Sequence, residues 1–383
     1  MLDVDRRQTL AFRLASHHLT RRLGPRSILK AAACGVQETP TGTAGVAFAA
    51  RVEGLTPAAL ERALRERRTL IAIWSLRGAP HVVAARDLGA FTVGALPIDS
   101  ASFRQSMGGW SDALEGSGLD VWGTLDEMVA AARDLLDGRT MNVNELRDAV
   151  YARVSTLSRV RRPDFARDDM PEPLFRAVGT SGAICIAGGR GTDAELARTD
   201  QWLPETPPSV DRDEARGELL RRFLHAYGPA TAQHFADWTQ RGPADAKAAL
   251  SSIEDELEQV GLAGTKAWLL RRDARALSSP PEPRGVHLLP PQDPYLQQRD
   301  RATVLPEESS RRKLWRPTRG PGGVLVDGEI LGTWRSRVKG RRLEVAVDPF
   351  ARLSPAAREA VTAEAERVSP FRGCETAEVS FDG

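Results

Sequence analysis

A helix followed by two short strands and a tight turn recurs along this chain of 383 residues, and this recurrence constrains the fold most. Thr56 precedes a proline, a pair that starts helices, and leucines four positions apart predict a helix over 57–67. The stretches 69–75 (TLIAIWS) and 80–84 (PHVVA) have the composition of strands, with a turn at 76–79 (LRGA). Together they form the pattern of a winged helix, in which the turn between the strands is the wing.

Two later stretches repeat the pattern less regularly. The second combines predicted helices with a strand at 183–187 (AICIA) and a flexible turn at 188–191 (GGRG). The third contains an amphipathic helix over 213–227 and two paired strands around Gly264. We interpret the segment 98–125, rich in Gly, Ser and Trp, as the connector between the first two units.

The chain after residue 276 differs from these units. Its prolines predict a rigid, extended connector, followed by a basic loop at 311–316 (RRKLWR). An Asp-Gly pair at 327–328 between apolar runs predicts a hairpin, and Ser354 begins a helix that covers a small antiparallel sheet.

The predicted fold class is therefore α+β, with three tandem winged-helix units and a C-terminal antiparallel β-rich domain. Winged helices are predicted over residues 1–100, 101–206 and 207–276, and the β-rich domain over 277–383. The length of 383 residues fits this division, since it suggests two or three domains of about 150 residues or a larger number of smaller ones.

Composition excludes several classes of protein. No apolar stretch approaches the roughly 18 residues of a spanning helix, so no membrane partner is expected. The three cysteines lie far apart, which favours a reducing cytoplasm, and no histidine has metal-ligand spacing, so we expect no metal. A net charge of +2, from 53 basic and 51 acidic residues, neither requires nor excludes nucleic acid.

Two sites are candidates for contact with nucleic acid. Arg77 and Gly78 lie in the first wing, where an arginine is suited to enter a groove. The second site is a basic strip with a stacking aromatic, suited to phosphates, although a solvated loop explains it equally well. Its members are Arg311, Arg312, Lys313, Trp315 and Arg316.

Several short segments occur together in the order and spacing of one known family. They are 34–37 (CGVQ), 54–57 (GLTP), 74–81 (WSLRGAPH), 227–231 (YGPAT), 289–290 (LP) with 293–296 (DPYL), 324–328 (VLVDG) and 332–334 (GTW). Through them the chain resembles the AlkZ-like and YcaQ-like winged-helix DNA glycosylases over nearly its whole length. Trp74 and His81, which flank the first wing within this resemblance, join the DNA-binding candidates.

The resemblance implies a concave DNA-binding channel formed by the winged helices and the β-rich domain. It implies a cofactor-free, monofunctional enzyme that removes N7-alkylated or bulky guanine adducts, and interstrand crosslinks, from double-stranded DNA. Such an enzyme is expected to be a cytoplasmic, nucleoid-associated monomer. It serves DNA repair or the self-resistance of an organism that makes a genotoxin.

The catalytic motif implied by the resemblance is a Gln, any residue, and then a Gln or Asp, just after an early helix. Gln37 matches the first position, Thr39 stands at the second, and Glu38 lies between them. An N7-alkylated guanine is cationic and leaves without a strong acid, so the enzyme has to place a water and stabilise an oxocarbenium-like sugar. Thr39 has a hydroxyl for water but neither carboxamide nor charge.

The role of Glu38 and the activity itself stay open on these residues. Glu38 either supplies charge to the site or is a solvated or helix-capping residue. The sequence therefore favours a DNA glycosylase with Gln37 orienting the water and Thr39 or Glu38 assisting. The alternative is a non-catalytic DNA-binding regulator or lesion sensor, and a weaker one is a protein that uses winged helices for protein contacts.

Overall fold

The computed structural model describes residues 2–160, 173–205, 210–262 and 264–382, and the predicted boundary at 206/207 lies outside them. The helices are α1 Arg6–Ser16, α2 Ile28–Ala31, α3 Thr43–Arg51, α4 Pro57–Glu61, α5 Leu88–Phe91, α6 Ser100–Ser106, α7 Ser111–Gly116, α8 Val121–Leu135, α9 Val143–Arg153, α10 Pro173–Thr180, α11 Thr199–Trp202, α12 Arg212–Tyr227, α13 Ala232–Thr239, α14 Pro243–Ser252, α15 Ala274–Ser278, α16 Arg301–Val304, α17 Glu308–Leu314 and α18 Pro355–Val368. The strands are β1 Leu2–Val4, β2 Val36–Gln37, β3 Leu70–Trp74, β4 Pro80–Ala84, β5 Met141–Asn142, β6 Ile184–Gly188, β7 Glu195–Arg198, β8 Leu257–Leu262, β9 Thr265–Leu270, β10 Val286–Leu289, β11 Gly322–Val326, β12 Glu329–Lys339, β13 Arg342–Pro349 and β14 Thr376–Phe381.

The chain is a mixed α+β fold that divides into two compact units. The first unit comprises Met1–Arg62, Arg221–His234 and Asp255–Gly383. The second comprises Ala63–Leu220 and Phe235–Glu254. The number of winged helices and the three boundaries between the predicted domains stay predictions.

A curled sheet with the strand order β10-β11-β12-β13-β14 dominates the first unit. Its pairs are antiparallel except β13 with β14, which run parallel. Helix α18 contacts both edge strands, β10 and β14, so the sheet bends around it. The Asp327–Gly328 turn joins β11 to β12 as predicted, with Gly328 at a φ of 91°, where glycine is favoured.

Alternation along β13 explains how this sheet forms its core. Leu343, Val345 and Val347 are completely or almost completely buried, whereas Ala346, between two of them, is exposed. Successive strand residues point to opposite faces, so one face packs on α18 and the other meets solvent. A second sheet of this unit has the order β1-β8-β9, with the predicted β8–β9 pair antiparallel.

The second unit contains the predicted wing hairpin. Strands β3 and β4 pair antiparallel, from Leu70 opposite Ala84 to Trp74 opposite Pro80. The tight turn between them passes through left-handed φ values at Arg77 and Gly78, of 60° and 63°. A three-stranded sheet β5-β7-β6 follows, and helices α8, α9 and α10 bury their apolar faces in the same core.

Segment 98–125 is not a connector, which corrects the sequence prediction. It forms α6, α7 and the beginning of α8. Asp99 accepts a hydrogen bond from the Ser102 N–H at 2.8 Å, and Asp120 accepts one from the Trp122 N–H at 3.2 Å. These N-caps start helices despite the glycines and serines nearby.

The basic segment 311–316 is also not a loop along most of its length. Residues up to Leu314 belong to α17, whose N-terminus is capped by Glu307 through the Ser309 N–H. An ion pair between Glu308 and Arg312 joins successive turns at the favourable i,i+4 spacing.

Candidate functional site

Gln37 lies in the short strand β2, between α2 and α3. The chain turns into this strand at Gly35, which has a φ of 73°, and Val36 and Gln37 are both buried. The Oε1 atom of Gln37 accepts a hydrogen bond of 3.1 Å from Nε2 of Gln297. The carboxamide of the first motif position is therefore held inside the protein by a second carboxamide.

The carboxylate of Glu38 caps the next helix. Its two oxygens accept the N–H groups of Gly42 at 2.7 Å and Ala44 at 2.8 Å, at the beginning of α3. A negative charge is stabilised there because the first N–H groups of a helix lack internal partners. Glu38 is half-buried in this position and Thr39 is exposed, so the capping alternative for Glu38 has direct structural support.

Thr43 ties the loop after Gln37 to the same helix. Its hydroxyl lies 3.1 Å from the carbonyl oxygen of Gln37 and 2.7 Å from that of Pro40, so it donates to backbone acceptors on both sides of the loop. Helix α3 thus holds the backbone of the motif through the Thr43 side chain.

Gln297 is the last residue of the 3₁₀ helix Pro294–Gln297, and Asp293 is the N-cap of this helix. One carboxylate oxygen of Asp293 accepts the Tyr295 N–H at 2.8 Å and thereby caps this helix. Nε2 of Gln297 also donates to the carbonyl oxygen of Gln292 at 3.0 Å. The position of the Gln297 amide is therefore set by its own short helix.

A buried ion pair connects the two segments. Arg51, at the end of α3, donates through both terminal nitrogens to Asp293, at 2.7 and 2.8 Å, and both side chains are at most 1 % exposed. Burial disfavours the charged form of Arg51, but the Asp293 carboxylate outweighs it and raises the pKa of Arg51. Strand β2, α3 and the 3₁₀ helix thus form a closed path that begins at Gln37 and returns to it through Gln297.

Local sequence patterns do not reveal this path. Its two long contacts join residues 242 and 260 positions apart, and no periodicity spans such a distance. The segment 293–296 is one of those that carry the family resemblance, and Gln297 lies directly after it. The local signal that could have indicated Gln297 is its position as a polar residue shortly after a helix-capping Asp-Pro pair.

Cys34 and His17 lie buried close to this strand, 3.9 Å apart between Sγ and Nδ1. Burial raises the pKa of the Cys34 thiol to about 11. Burial, with the nearby positive charge of Arg51, lowers the pKa of His17 well below its usual value. Both groups are neutral near pH 7, so Cys34 lacks the thiolate that a nucleophile requires.

Two of the predicted DNA-binding residues are buried in the wing hairpin. Trp74 is 6 % exposed and packs edge-on against Phe175, with ring centroids 6.0 Å apart. His81 is fully buried, its Nδ1 donates to the Ala79 carbonyl at 2.9 Å, and burial lowers its pKa to about 3. Neither side chain therefore offers surface to a DNA ligand.

Arg77 and Gly78 form the wing turn, as predicted, and are half-buried. The Arg77 guanidinium donates to the Trp238 carbonyl at 2.5 Å, so it is anchored to α13. Arg176 lines a cleft with these two residues. The Arg77 side chain is therefore held in place by this contact, and the turn is fixed relative to α13.

The basic strip divides between exposed and anchored residues. Arg312, Lys313 and Arg316 are exposed. Arg312 forms an ion pair with Glu308 at 2.5 Å, and Lys313 forms one with Asp348 at 3.2 Å. Exposed pairs of this kind are weak, so both cations are able to exchange a carboxylate for a phosphate.

Arg311 and Trp315 face inward. Arg311 donates to the carbonyl oxygens of Leu305, at 2.8 Å, and Pro306, and the indole N–H of Trp315 donates to that of Leu296 at 2.8 Å. These two residues hold α17 against its neighbours. The strip that meets solvent is therefore smaller than the sequence predicted.

Within the part of the chain that the structure describes, no group of three His, Cys, Asp or Glu side chains is placed to hold a metal ion. Among the same residues, no helix is long and apolar enough to cross a membrane. Around Gln37 the structure places the Gln297 amide, the capping carboxylate of Glu38 and the hydroxyl of Thr43.

Comparison with known proteins agrees with the fold described above. The chain is 24 % identical over 375 residues to an interstrand DNA cross-link repair glycosylase of Streptomyces sahachiroi, covering 96 % of each sequence. The solved structure of the Streptomyces sahachiroi DNA glycosylase AlkZ has a TM-score of 0.77 to this chain at 24 % identity, with complete coverage of both, and shows the shared fold. The family model of AlkZ-like DNA glycosylases matches residues 31–371. Because that match spans most of the sequence, the chain belongs to the AlkZ-like DNA glycosylase family.

Proposed function

We propose that this chain is a monofunctional DNA glycosylase that hydrolyses the N-glycosidic bond of N7-alkylated or bulky guanine adducts, including interstrand crosslinks. Its family and its similarity to a crosslink repair glycosylase support this proposal. The observation that carries it is the buried carboxamide of Gln37, held by Gln297 at the first position of the catalytic motif. The biological role is DNA repair or self-resistance to a genotoxin.

The chemistry suits a site made of neutral amides. Alkylation at N7 makes the guanine cationic, so the bond from C1′ to N9 breaks with its electron pair moving onto the base, which leaves neutral. The sugar becomes oxocarbenium-like, and a water attacks C1′ and releases its proton to solvent. Gln37 orients this water through its amide, which offers both a donor and an acceptor.

Glu38 and Thr39 support this step in different ways. Glu38 holds α3, and with it the backbone of Gln37, through its hydrogen bonds to Gly42 and Ala44. Thr39 is exposed and contributes a hydroxyl for water.

Duplex DNA is the proposed partner. The exposed cations Arg312, Lys313 and Arg316 contact phosphates, and the wing turn at Arg77 and Gly78 contacts the DNA backbone. Each contact of this type positions the duplex without reading its sequence, as an enzyme that recognises damage requires.

A single-turnover assay on a duplex with one N7-methylguanine tests the proposal. With protein in excess, the wild type converts the lesion into an alkali-sensitive abasic site. Gln37→Ala lowers this rate constant by about 10²-fold or more, because a preorganised hydrogen-bonding group is removed from the transition state. Gln201→Ala is the matched control: this glutamine is exposed, hydrogen-bonds Gly138 and Asp137, and its removal leaves the rate unchanged.

One observation favours a second function, a DNA-binding protein without catalysis. Thr39 is exposed and the Glu38 carboxylate is engaged at the helix start, so no carboxamide or carboxylate of segment 38–39 is dedicated to the water. In that case the wild type binds duplex DNA tightly and produces no abasic site at stoichiometric concentration. Gln37→Ala then also leaves DNA affinity unchanged.

A further inference from the structure

Gln297 contacts two groups that together determine its orientation. Its Nε2 atom donates to the backbone carbonyl of Gln292 at 3.0 Å and to Oε1 of Gln37 at 3.1 Å. Gln297 and Gln37 are each 7 % exposed, so this network lies inside the protein. Because buried polar groups are costly when unpaired, the arrangement is held strongly.

The Gln292 carbonyl decides which way both amides point. The two ends of a carboxamide have nearly the same shape, but only the nitrogen donates. A backbone carbonyl only accepts, so the nitrogen of Gln297 has to face Gln292. The same nitrogen carries a second N–H, and that N–H requires an oxygen from Gln37. The carbonyl of residue 292 thus sets the orientation of Gln37 through one intermediate side chain.

The carbonyl itself is held rigidly. Gln292 has a left-handed φ of 61°, in a tight turn closed by a hydrogen bond of 3.0 Å from the Asp293 N–H to the Pro290 carbonyl. The next residue, Asp293, is fixed by its buried ion pair with Arg51. The orientation of the Gln37 amide therefore rests on a turn and an ion pair rather than on one flexible side chain.

We propose that Gln297 is a positioning residue for Gln37: it decides which end of the Gln37 carboxamide meets the reacting water and holds it there. This inference rests on the proposed glycosylase function. Thr39 offers no carboxamide beside Gln37, and the one that contacts it comes from a segment 260 residues later. Gln297 reaches the reaction only through Gln37.

Two variants test this role in the single-turnover assay. Gln297→Leu removes both hydrogen bonds at similar volume and lowers the rate constant by about 10- to 100-fold at every pH, because a poorly placed catalytic group costs this much. Gln297→Glu is nearly isosteric, but its ionised form donates to neither oxygen. Its rate, relative to wild type at the same pH, is reduced at pH 8 and recovers toward pH 5, as the carboxyl gains a proton and one O–H donor.

Affinity and additivity separate positioning from a general loss of structure. Both variants bind undamaged duplex with the wild-type Kd, so the loss lies in the chemical step. Combining Gln297→Leu with Gln37→Ala costs no more rate than Gln37→Ala alone, since the two residues act as one unit. Melting temperatures of all variants identify any that fail to fold, and Gln297→Glu keeps the inference testable if Gln297→Leu does.

Different results overturn the two proposals. A wild type that releases no base refutes the glycosylase function, and this inference with it. An active wild type whose Gln297→Leu variant has the same rate refutes this inference alone. Losses that add in the double variant, or a Gln297→Glu rate ratio that is flat with pH, assign Gln297 a purely structural role.

Discussion

The buried ion pair between Arg51 and Asp293 gives the sharpest test of how the site is supported. Asp293→Asn keeps the size of the side chain and removes its charge. The remaining oxygen, in the place of Oδ1, still accepts from one Arg51 nitrogen and from the Tyr295 N–H, but the new amide nitrogen in the place of Oδ2 is a donor that faces the other Arg51 nitrogen. Arg51 stays charged, because its guanidinium does not lose a proton at accessible pH.

The size of the effect follows from burial. Asp293 and Arg51 are 0 % and 1 % exposed, so water cannot replace the lost carboxylate. Removing one partner of a buried pair costs about 3–5 kcal/mol, because it leaves an uncompensated charge. Domains unfold with about 5–15 kcal/mol, so this one atom change removes a large share of the free energy of unfolding of the first unit.

Chemical denaturation followed by tryptophan fluorescence and circular dichroism measures this loss. The matched control is Asp348→Asn, the same chemical change in the exposed pair with Lys313, whose side chains are 43 % and 47 % exposed. We expect about 0–1 kcal/mol there. Equal losses in the two variants would refute the reasoning, as would a loss below about 1 kcal/mol for Asp293→Asn. Adding Arg51→Met to Asp293→Asn should cost less than the two single losses combined.

Three further results are expected. His81 and His287 are held neutral, with burial lowering the pKa of each to about 3, so stability is full above pH 6.5 and is lost as pH falls. Between pH 7.5 and pH 5, each of these histidines lowers the free energy of unfolding by about 2 kcal/mol, because the unfolded histidine gains a proton that the buried one does not. Identical urea midpoints at pH 7.5 and 5 would contradict this. Glu38→Ala should lower the unfolding free energy by about 1 kcal/mol through the lost cap; a slower base release at unchanged stability would instead make Glu38 catalytic. Arg316→Ala should reduce the slope of log K against log salt for duplex binding by about 1; an unchanged slope would remove it from the DNA interface.

Local sequence chemistry predicted those parts of the fold that depend on neighbouring residues. Thr56 accepts the Ala59 N–H at 3.2 Å and begins α4 as expected. The wing strands and the Asp327–Gly328 hairpin also occur where the pattern placed them. In each case the decisive interaction joins residues only a few positions apart, so composition and spacing contain the information.

Two segments contain local signals that compete, and in both the structure follows the helix signal. The glycines and serines of 98–125 suggested a connector, but Asp99 and Asp120 cap helices within it. The charges of 311–316 suggested a loop, but Glu307 and the Glu308–Arg312 pair stabilise a helix. In both segments the residues that cap the helices are visible in the sequence.

By itself the sequence determined the family resemblance, the candidate residue Gln37 and the departure from the implied catalytic motif at Thr39. Only the tertiary structure decided how Gln37 is held. Its contact with Gln297 and the Arg51–Asp293 pair beneath it join segments more than 240 residues apart, and both depend on how α3 and the 3₁₀ helix pack. The reason is physical: hydrogen bonds and ion pairs act over a few ångströms of space. Only folding brings such distant segments within that range.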